Sequence, residues 1–210
     1  NMVTPEFARL LKKAGCHSAS TAIESGDETL RRTILNRHIS DRQIIEACRQ
    51  LKENGIKIYS LNILGLPGET EEQMLATLAL NRTIQADYAD ASIFQPYPGT
   101  QINDYCLKNG YLDPGARYDD LFSSTVLNFS PAAKAKIRTL RALFTMIVDH
   151  PWLLKWYPAL ARMTFLAPAL SVAYRAYYGY FNHRRILAGA IPLRVRLMAA
   201  STVLFSKSRA

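Results

Sequence analysis

The sequence predicts an α/β fold in which parallel strands alternate with helices in a partial barrel, followed by a mostly α-helical C-terminal region. A unit of strand, loop and helix recurs three times, and each strand ends in polar or Gly/Pro-rich residues. The 210 residues are 49% hydrophobic and 20% charged, which is typical of a globular chain with one core plus an appendage. We place the barrel segment at residues 1–115 and the helical region at 116–210.

The first unit starts with a short helix, because Thr4-Pro5 has the pattern of a cap followed by the first helical position. Residues 16–23 are small and apolar enough for a strand. That strand ends in Glu24-Ser25-Gly26-Asp27, where Asp27 can cap the next helix.

The second unit carries the most informative strand, residues 56–64, an Ile-rich run too short to span a membrane. It stops at a loop in which Gly65 and Gly68 keep side-chain bulk low, so that backbone could approach a flat ligand. Thr70 to Gln73 form a capping box, which predicts a helix whose positive end lies near this loop.

The third unit runs through a strand at residues 89–94 and ends in Gln95-Pro96-Tyr97-Pro98-Gly99-Thr100. Thr100 can cap a short helix that closes at Gly110. Strands that alternate with helices form parallel sheets, so we expect three parallel strands with a ligand site at their carboxyl ends.

The C-terminal region is predicted to follow a turn-rich boundary between Tyr111 and Pro131. Ser130-Pro131 can cap a helix with apolar residues at helical spacing that ends near Asp149.

Four motifs occur together in order: Glu24-Ser25-Gly26, Leu35-Asn36-Arg37, the loop from Gly65 to Thr70, and Pro96 to Thr100. In this order and spacing they resemble the second half of a radical S-adenosylmethionine (SAM) barrel of the (β/α)6 TIM-like type. The similarity covers roughly the first half of the chain. It is greatest to the cobalamin-binding branch, which includes the anaerobic magnesium-protoporphyrin ester cyclase and various carbon methylases.

The resemblance implies a set of cofactor-binding residues for SAM. They are Glu24, Ser25, Arg37, Asn62, Ile63, Gly65, Gln95 and Tyr97. Glu24 would contact the methionyl or ribose part and Arg37 the carboxylate, while backbone groups and Ile63 would line the adenine.

Four of these residues also have a structural interpretation. Glu24 could act on a helix dipole, Arg37 could form a surface salt bridge, and Ile63 could be core. Tyr97 could stack on adenine or plug the barrel. Glu69 is expected to satisfy helix N–H groups rather than do acid–base work, and no catalytic residue is assigned.

The implied chemistry is formation of a 5′-deoxyadenosyl radical from SAM at a reduced 4Fe-4S cluster, followed by methylation, cyclisation or another modification of an unactivated carbon. The protein would position the reactants and exclude water. The implied cofactors are SAM, the cluster and cobalamin. The implied partners are a small-molecule substrate, which would be lipophilic if the enzyme works at a membrane, and a reductant such as flavodoxin or ferredoxin.

The family's Cys-x-x-x-Cys-x-x-Cys loop is missing from this sequence. Cys16, Cys48 and Cys106 are far apart and fall on separate predicted elements, so we interpret them as ordinary thiols of a reducing cytoplasm. We therefore expect a C-terminal fragment whose cluster loop and any cobalamin domain lie upstream. Alone, such a fragment would hold no cluster and cleave no SAM.

The charge is concentrated in the last part of the chain. After Asp149 there is no Asp or Glu, while nine Lys and Arg residues account for the net charge of +9. Trp152, Trp156 and several tyrosines lie among these cations. The pattern favours reversible contact with an anionic membrane at the inner face, without crossing it. Packing on the barrel is the alternative, and no nucleic-acid motif is present.

Two rival functions stay open at this point. If the protein is an enzyme, the barrel could instead belong to a methylthiotransferase or a coproporphyrinogen-type radical enzyme. Outside enzymes, it could be a degenerate barrel that serves as a membrane-docking or scaffold module.

Overall fold

The computed structural model describes residues 3–117, 121 and 124–185, with side chains described up to residue 179. The strands are β1 Ser18–Glu24, β2 Lys57–Leu64 and β3 Tyr88–Ile93. The α-helices are α1 Pro5–Lys13, α2 Glu28–Thr33, α3 Asp41–Glu53, α4 Glu71–Thr83, α5 Gln101–Lys108, α6 Pro131–Asp149, α7 Tyr157–Arg162 and α8 Ala167–Arg185. Short 3₁₀ helices, Pro151–Trp156 and Thr164–Leu166, flank α7.

The three strands form one parallel sheet in the order β1-β2-β3. This confirms the predicted three parallel strands, each followed by a helix. The helix starts are confirmed as well, because each predicted cap accepts a hydrogen bond from the backbone amide three residues further on. The capping residues are Thr4, Asp27, Thr70, Thr100 and Ser130.

One face of the sheet is covered by a helical layer, which follows from the alternation along β2. Ile58, Asn62 and Leu64 are buried toward the helices, while Leu61 between them is exposed on the opposite face. Ile58 packs with residues of α3, and Leu64 packs with Met74 of α4 and with α6. The main core therefore lies between the sheet and the helices α3, α4 and α6.

The outer edge of β3 is satisfied by groups that are not strands. The carbonyl of Ala89 accepts a hydrogen bond from the Thr145 hydroxyl at 2.6 Å, and that of Ala91 accepts one from Arg141 Nε at 3.3 Å. The amide of Ile93 donates to the Leu121 carbonyl at 2.7 Å. An edge strand whose polar groups are paired in this way does not attract another strand.

Helix α8 packs against the opposite face of the sheet. The Tyr174 hydroxyl donates to Asp90 of β3 at 2.8 Å, and the Tyr178 ring lies 5.7 Å from the ring of Tyr88. Tyr157 and Tyr174 are buried, so for these two aromatics the interfacial prediction is wrong. Their rings are used for packing, which was the alternative.

The tryptophans behave differently, since Trp152 is 61% exposed and Trp156 is 53% exposed. Within the described part of the chain, no helix has the length and apolar character needed to cross a bilayer. The interfacial tail is predicted for residues 150–210, and its last part, residues 186–210, lies outside the described residues.

Candidate functional site

The sheet register brings the polar strand ends together at one edge. Glu24 pairs with Asn62, and Leu64 pairs with Ile93. The amide of Phe94 continues the ladder by donating to the Leu64 carbonyl at 2.9 Å. The residues that follow all three strands therefore lie side by side, as expected for a parallel sheet.

Glu24 and Arg37 form an ion pair at this edge, with Arg37 Nη1 2.8 Å from Glu24 Oε1. Both side chains stay partly open to solvent. Burial raises the pKa of Glu24 above its ordinary value, although the charge of Arg37 opposes this shift. Glu24 also has a φ of 68° at an irregularity in the β1–β2 pairing. A non-glycine residue in this conformation is strained, and such strain is concentrated at functional sites.

Arg37 reaches Glu24 because the chain reverses directly after α2. Asn36 takes a left-handed conformation with a φ of 50°, which is a common helix ending. Arg37 Nη1 also donates to the Ala22 carbonyl at 3.1 Å. Arg37 thus forms a surface salt bridge and also lies beside the end of β1, so the structural interpretation and the ligand-binding one are compatible.

Ser25 is fully buried, so its side chain does not face the open edge. Its hydroxyl accepts a hydrogen bond from the Asp27 amide, and its carbonyl accepts one from Arg31 Nη1 at 2.6 Å. The next residue, Gly26, donates its amide to the Thr77 hydroxyl at 2.8 Å. Ser25 and Gly26 therefore fix the loop that follows Glu24.

Asn62 points into the helical layer, where it is bound to Asn81 of α4 at 2.7 Å and to the Asp90 carbonyl at 2.8 Å. Its side chain therefore cannot line the opposite face, and only its backbone is placed for the predicted adenine contact. Ile63 is half-buried and packs against a second apolar cluster that includes Phe94 and Leu30.

Gln95 and Tyr97 follow β3 and differ in exposure. Gln95 is buried and donates from Nε2 to the Ser124 carbonyl at 2.8 Å. Tyr97 is 54% exposed, so its ring is accessible to a ligand. This exposure argues against the alternative that Tyr97 plugs the barrel.

Glu69 holds the loop after β2 in place. Its Oε2 accepts hydrogen bonds from the amides of Gly65 at 2.6 Å and Leu66 at 3.0 Å. These are loop amides, so the expectation that Glu69 satisfies helix N–H groups is wrong. Position 65 requires glycine, because its φ of 78° would strain any residue with a side chain. A β-carbon there would also lie 3.2 Å from the Ile137 side chain.

The second carboxylate oxygen of Glu69 is buried and has no hydrogen-bond partner among the described residues. Glu69 also lines a pocket of about 230 Å³ together with Tyr111 and Phe129. Burial raises the pKa of Glu69 from 4.5 to about 7, against the lowering effect of the two amide hydrogen bonds. Near neutral pH this group is therefore poised between acid and carboxylate.

Replacing Glu69 by glutamine is expected to remove a pH dependence of stability. Folding raises this pKa from 4.5 to about 7. The protonated Glu69 side chain therefore contributes fully to the free energy of unfolding below pH 4.5, and this contribution is lost as the pH rises through 7. The advantage of wild type over E69Q should therefore fall by about 3 kcal/mol between these limits. Urea unfolding across this range measures it, with the exposed Glu6→Gln as control. Equal pH slopes for wild type and E69Q would contradict the assignment.

Cys48 lies in α3 and Cys106 in α5, as predicted, whereas Cys16 lies in the loop before β1 rather than in the strand. Burial raises the pKa of both Cys48 and Cys106 to about 11, so both are thiols rather than thiolates near neutral pH. Within the described residues, no three His, Cys, Asp or Glu side chains are grouped for a metal ion. The described residues therefore do not fit the ligand set of an iron–sulfur cluster.

The ion pair, the glycine loop and the parallel strand ends agree with the resemblance drawn from the motifs. Residues 1–80 match the Radical SAM superfamily. This match includes six of the eight predicted site residues and ends before Gln95 and Tyr97. The coarse resemblance is thus confirmed for the segment that contains β1, β2 and the loop between Gly65 and Thr70.

Three curated relatives carry enzyme names. An uncharacterized methyltransferase of Pyrococcus horikoshii is 32% identical over 112 residues, 53% of this chain and 24% of the relative. The cytidylyl-2-hydroxyethylphosphonate methyltransferase of Streptomyces wedmorensis is 23% identical, covering 52% of this chain and 22% of the relative. The tRNA-2-methylthio-N(6)-dimethylallyladenosine synthase of Caldicellulosiruptor saccharolyticus is 33% identical, covering 41% of this chain and 18% of the relative. The part of this chain that aligns thus spans about a quarter or less of these relatives' length.

Arg31 is the residue at this site that sequence reasoning missed. It is fully buried and donates to the carbonyls of Ser25 and Ile39 and to the carboxylate of Asp41. It thereby joins the loop after β1 to the start of α3. No local pattern distinguishes it from Arg32, which is exposed on the same helix.

Proposed function

We propose that this chain forms the SAM-binding second half of a (β/α)6 radical SAM barrel, in an enzyme that modifies an unactivated carbon of a small molecule. The observation that carries the proposal is the Glu24–Arg37 pair at the carboxyl edge of the sheet. A carboxylate beside a guanidinium offers complementary charges to the ammonium and carboxylate of an amino acid. The radical SAM match of residues 1–80 supports this assignment.

The other site residues would complete the binding site for the same ligand. The backbone of Asn62, Ile63 and Gly65 would receive the adenine, and the exposed ring of Tyr97 would stack on it. Ser25 and Gln95, both buried, would hold the strand ends in place rather than touch the ligand. SAM and a reduced 4Fe-4S cluster together supply a 5′-deoxyadenosyl radical, and the cluster ligands would come from outside the described residues.

Within this class we favour methylation with cobalamin over methylthio transfer. Relatives named as methyltransferases support methyl transfer, among them the one that is 32% identical over 112 residues. A relative named as a tRNA-2-methylthio-N(6)-dimethylallyladenosine synthase keeps methylthio transfer as the rival. Free cysteines suit a reducing cytoplasm, where flavodoxin or ferredoxin would supply electrons.

The proposal predicts that the chain binds SAM through the ion pair. Glu24→Gln and Arg37→Gln should each weaken SAM binding about tenfold, because each removes one charge-assisted contact. Isothermal titration of the 210-residue chain measures this. Arg49→Gln is the matched control, since Arg49 forms an exposed ion pair with Glu46 on α3. Failure of the wild type to bind SAM, or an equal loss in R37Q and R49Q, would refute the proposal.

We also propose that the segment after α6 rests on an anionic membrane. Trp152, Trp156 and Phe165 are all more than half exposed, and Lys155 lies 5.4 Å from the Trp156 ring. Exposed indole rings beside cations suit the headgroup region of a bilayer. This placement would bring the site near a lipophilic substrate.

The double variant Trp152→Ala/Trp156→Ala should lower partitioning onto anionic vesicles at least about tenfold, because both rings lose their interfacial burial. Co-sedimentation at low and high salt measures this, and binding should weaken with salt. Phe7→Ala, which removes an exposed aromatic on α1, is the control. If the double variant binds like F7A, the exposed tryptophans serve another contact.

A further inference from the structure

A pocket of about 260 Å³ lies between α6 and α8. Among the described residues, its lining contains two arginines, two hydroxyl side chains and no acidic group. These residues are Arg138, Thr139, Arg141, Ala142, Ala167, Leu170 and Ser171. We propose that this pocket binds the phosphate group of a phosphate monoester.

Arg141 is held in a fixed orientation. The residue is only 3% exposed, and its Nε donates to the Ala91 carbonyl at 3.3 Å. Its guanidinium carbon lies 3.8 Å from the centre of the Tyr174 ring. A planar guanidinium that is stacked and hydrogen-bonded has already lost its conformational freedom, so binding an anion costs less.

Arg138 lies on the same face of α6, three residues before Arg141. Its Nε is buried and has no hydrogen-bond partner among the described residues. A buried donor without a partner costs free energy. An anion beside Arg138 would supply the missing acceptor.

The donors in the lining favour phosphate over a carboxylate. Guanidiniums bind phosphate oxygens in pairs, and the hydroxyls of Thr139 and Ser171 could donate to a third oxygen. The volume lies below the roughly 300–1,000 Å³ of sites for drug-sized ligands. The pocket would therefore take the phosphate end of a ligand whose remainder lies outside.

This site is separate from the strand ends. It adjoins the outer edge of β3 through Arg141 and shares no residue with the proposed SAM site. The inference therefore stands whether or not the chain binds SAM.

The primary test is calorimetric titration of the 210-residue chain with inorganic phosphate and with glycerol phosphate. Arg138→Gln should weaken binding of both about tenfold, and Arg138→Glu should abolish it. Arg32→Gln, which removes an exposed helical arginine elsewhere, should leave affinity unchanged. Wild-type, R138Q and R138E chains are first compared by circular dichroism, so that loss of binding is not confused with unfolding.

A second arm separates a soluble ligand from a lipid headgroup. Phosphatidylcholine vesicles with and without phosphatidic acid are titrated with the wild type, R138Q and R32Q. A selective loss for R138Q on phosphatidic acid identifies a headgroup, whereas loss confined to the soluble phosphates identifies a metabolite. The proposal is overturned if the wild type binds neither probe, or if R138Q and R32Q behave alike on both.

Discussion

Gly26→Ala is expected to lower the free energy of unfolding by at least about 3 kcal/mol. A β-carbon at this position would lie 2.3 Å from the Ala76 carbonyl oxygen and 2.4 Å from the Thr77 nitrogen. Both atoms belong to the backbone of α4, which cannot rotate away as a side chain would. The loop would have to move, and the hydrogen bond from the Gly26 amide to Thr77 would be lost.

Urea unfolding of wild type and G26A measures the change, read from the midpoint at constant slope. Gly179→Ala is the matched control, since a β-carbon there meets nothing within 4 Å. That substitution lies within α8 and should be neutral or stabilising by up to about 1 kcal/mol. Equal stabilities for the two variants would show that the loop after β1 can withdraw from α4 at little cost.

Arg31→Met should destabilise the protein by about 3 kcal/mol. Methionine fills a similar volume but leaves the carbonyls of Ser25 and Ile39 without their donor. An unsatisfied buried acceptor costs about 1–3 kcal/mol. The ion pair with Asp41 adds less, because that carboxylate is 45% exposed.

Thermal and urea unfolding of R31M measure this cost, with Arg32→Met as control. Arg32 is exposed on the same helix, so its substitution should change stability by no more than about 0.5 kcal/mol. R31M should also weaken SAM binding, because Arg31 holds the loop directly after Glu24. A stability loss no larger than that of R32M would refute the role given to Arg31.

The elements that could be predicted from sequence are those determined by near neighbours. A cap such as Thr70 needs only the amide three residues away, and the Ile-rich run after Ile56 needs only its own composition. The order of strand ends at the site follows from the parallel sheet. Local chemistry and a single topological rule were therefore sufficient for these features.

The features that could not be predicted depend on contacts distant in sequence. Gly26 meets α4 some fifty residues later, and the hydrogen bond of Tyr174 to Asp90 joins residues 84 positions apart. The direction of Asn62 could not be predicted, because polar residues stand at both odd and even positions of β2, as Lys57 and Ser60 show. Its partner Asn81, which decides the face, is an ordinary helical residue in the sequence.

The two edges of the sheet differ in their capacity to accept a further strand. The polar groups of β3 are already paired with Thr145, Arg141 and Leu121, so growth of the sheet is blocked on that side. On the side of β1, the Ala22 carbonyl accepts a hydrogen bond from Arg37 Nη1, the same nitrogen that donates to Glu24. One guanidinium nitrogen therefore ties the ion pair to the backbone of the edge strand. A ligand carboxylate that drew Arg37 away from Glu24 would also have to replace this backbone hydrogen bond.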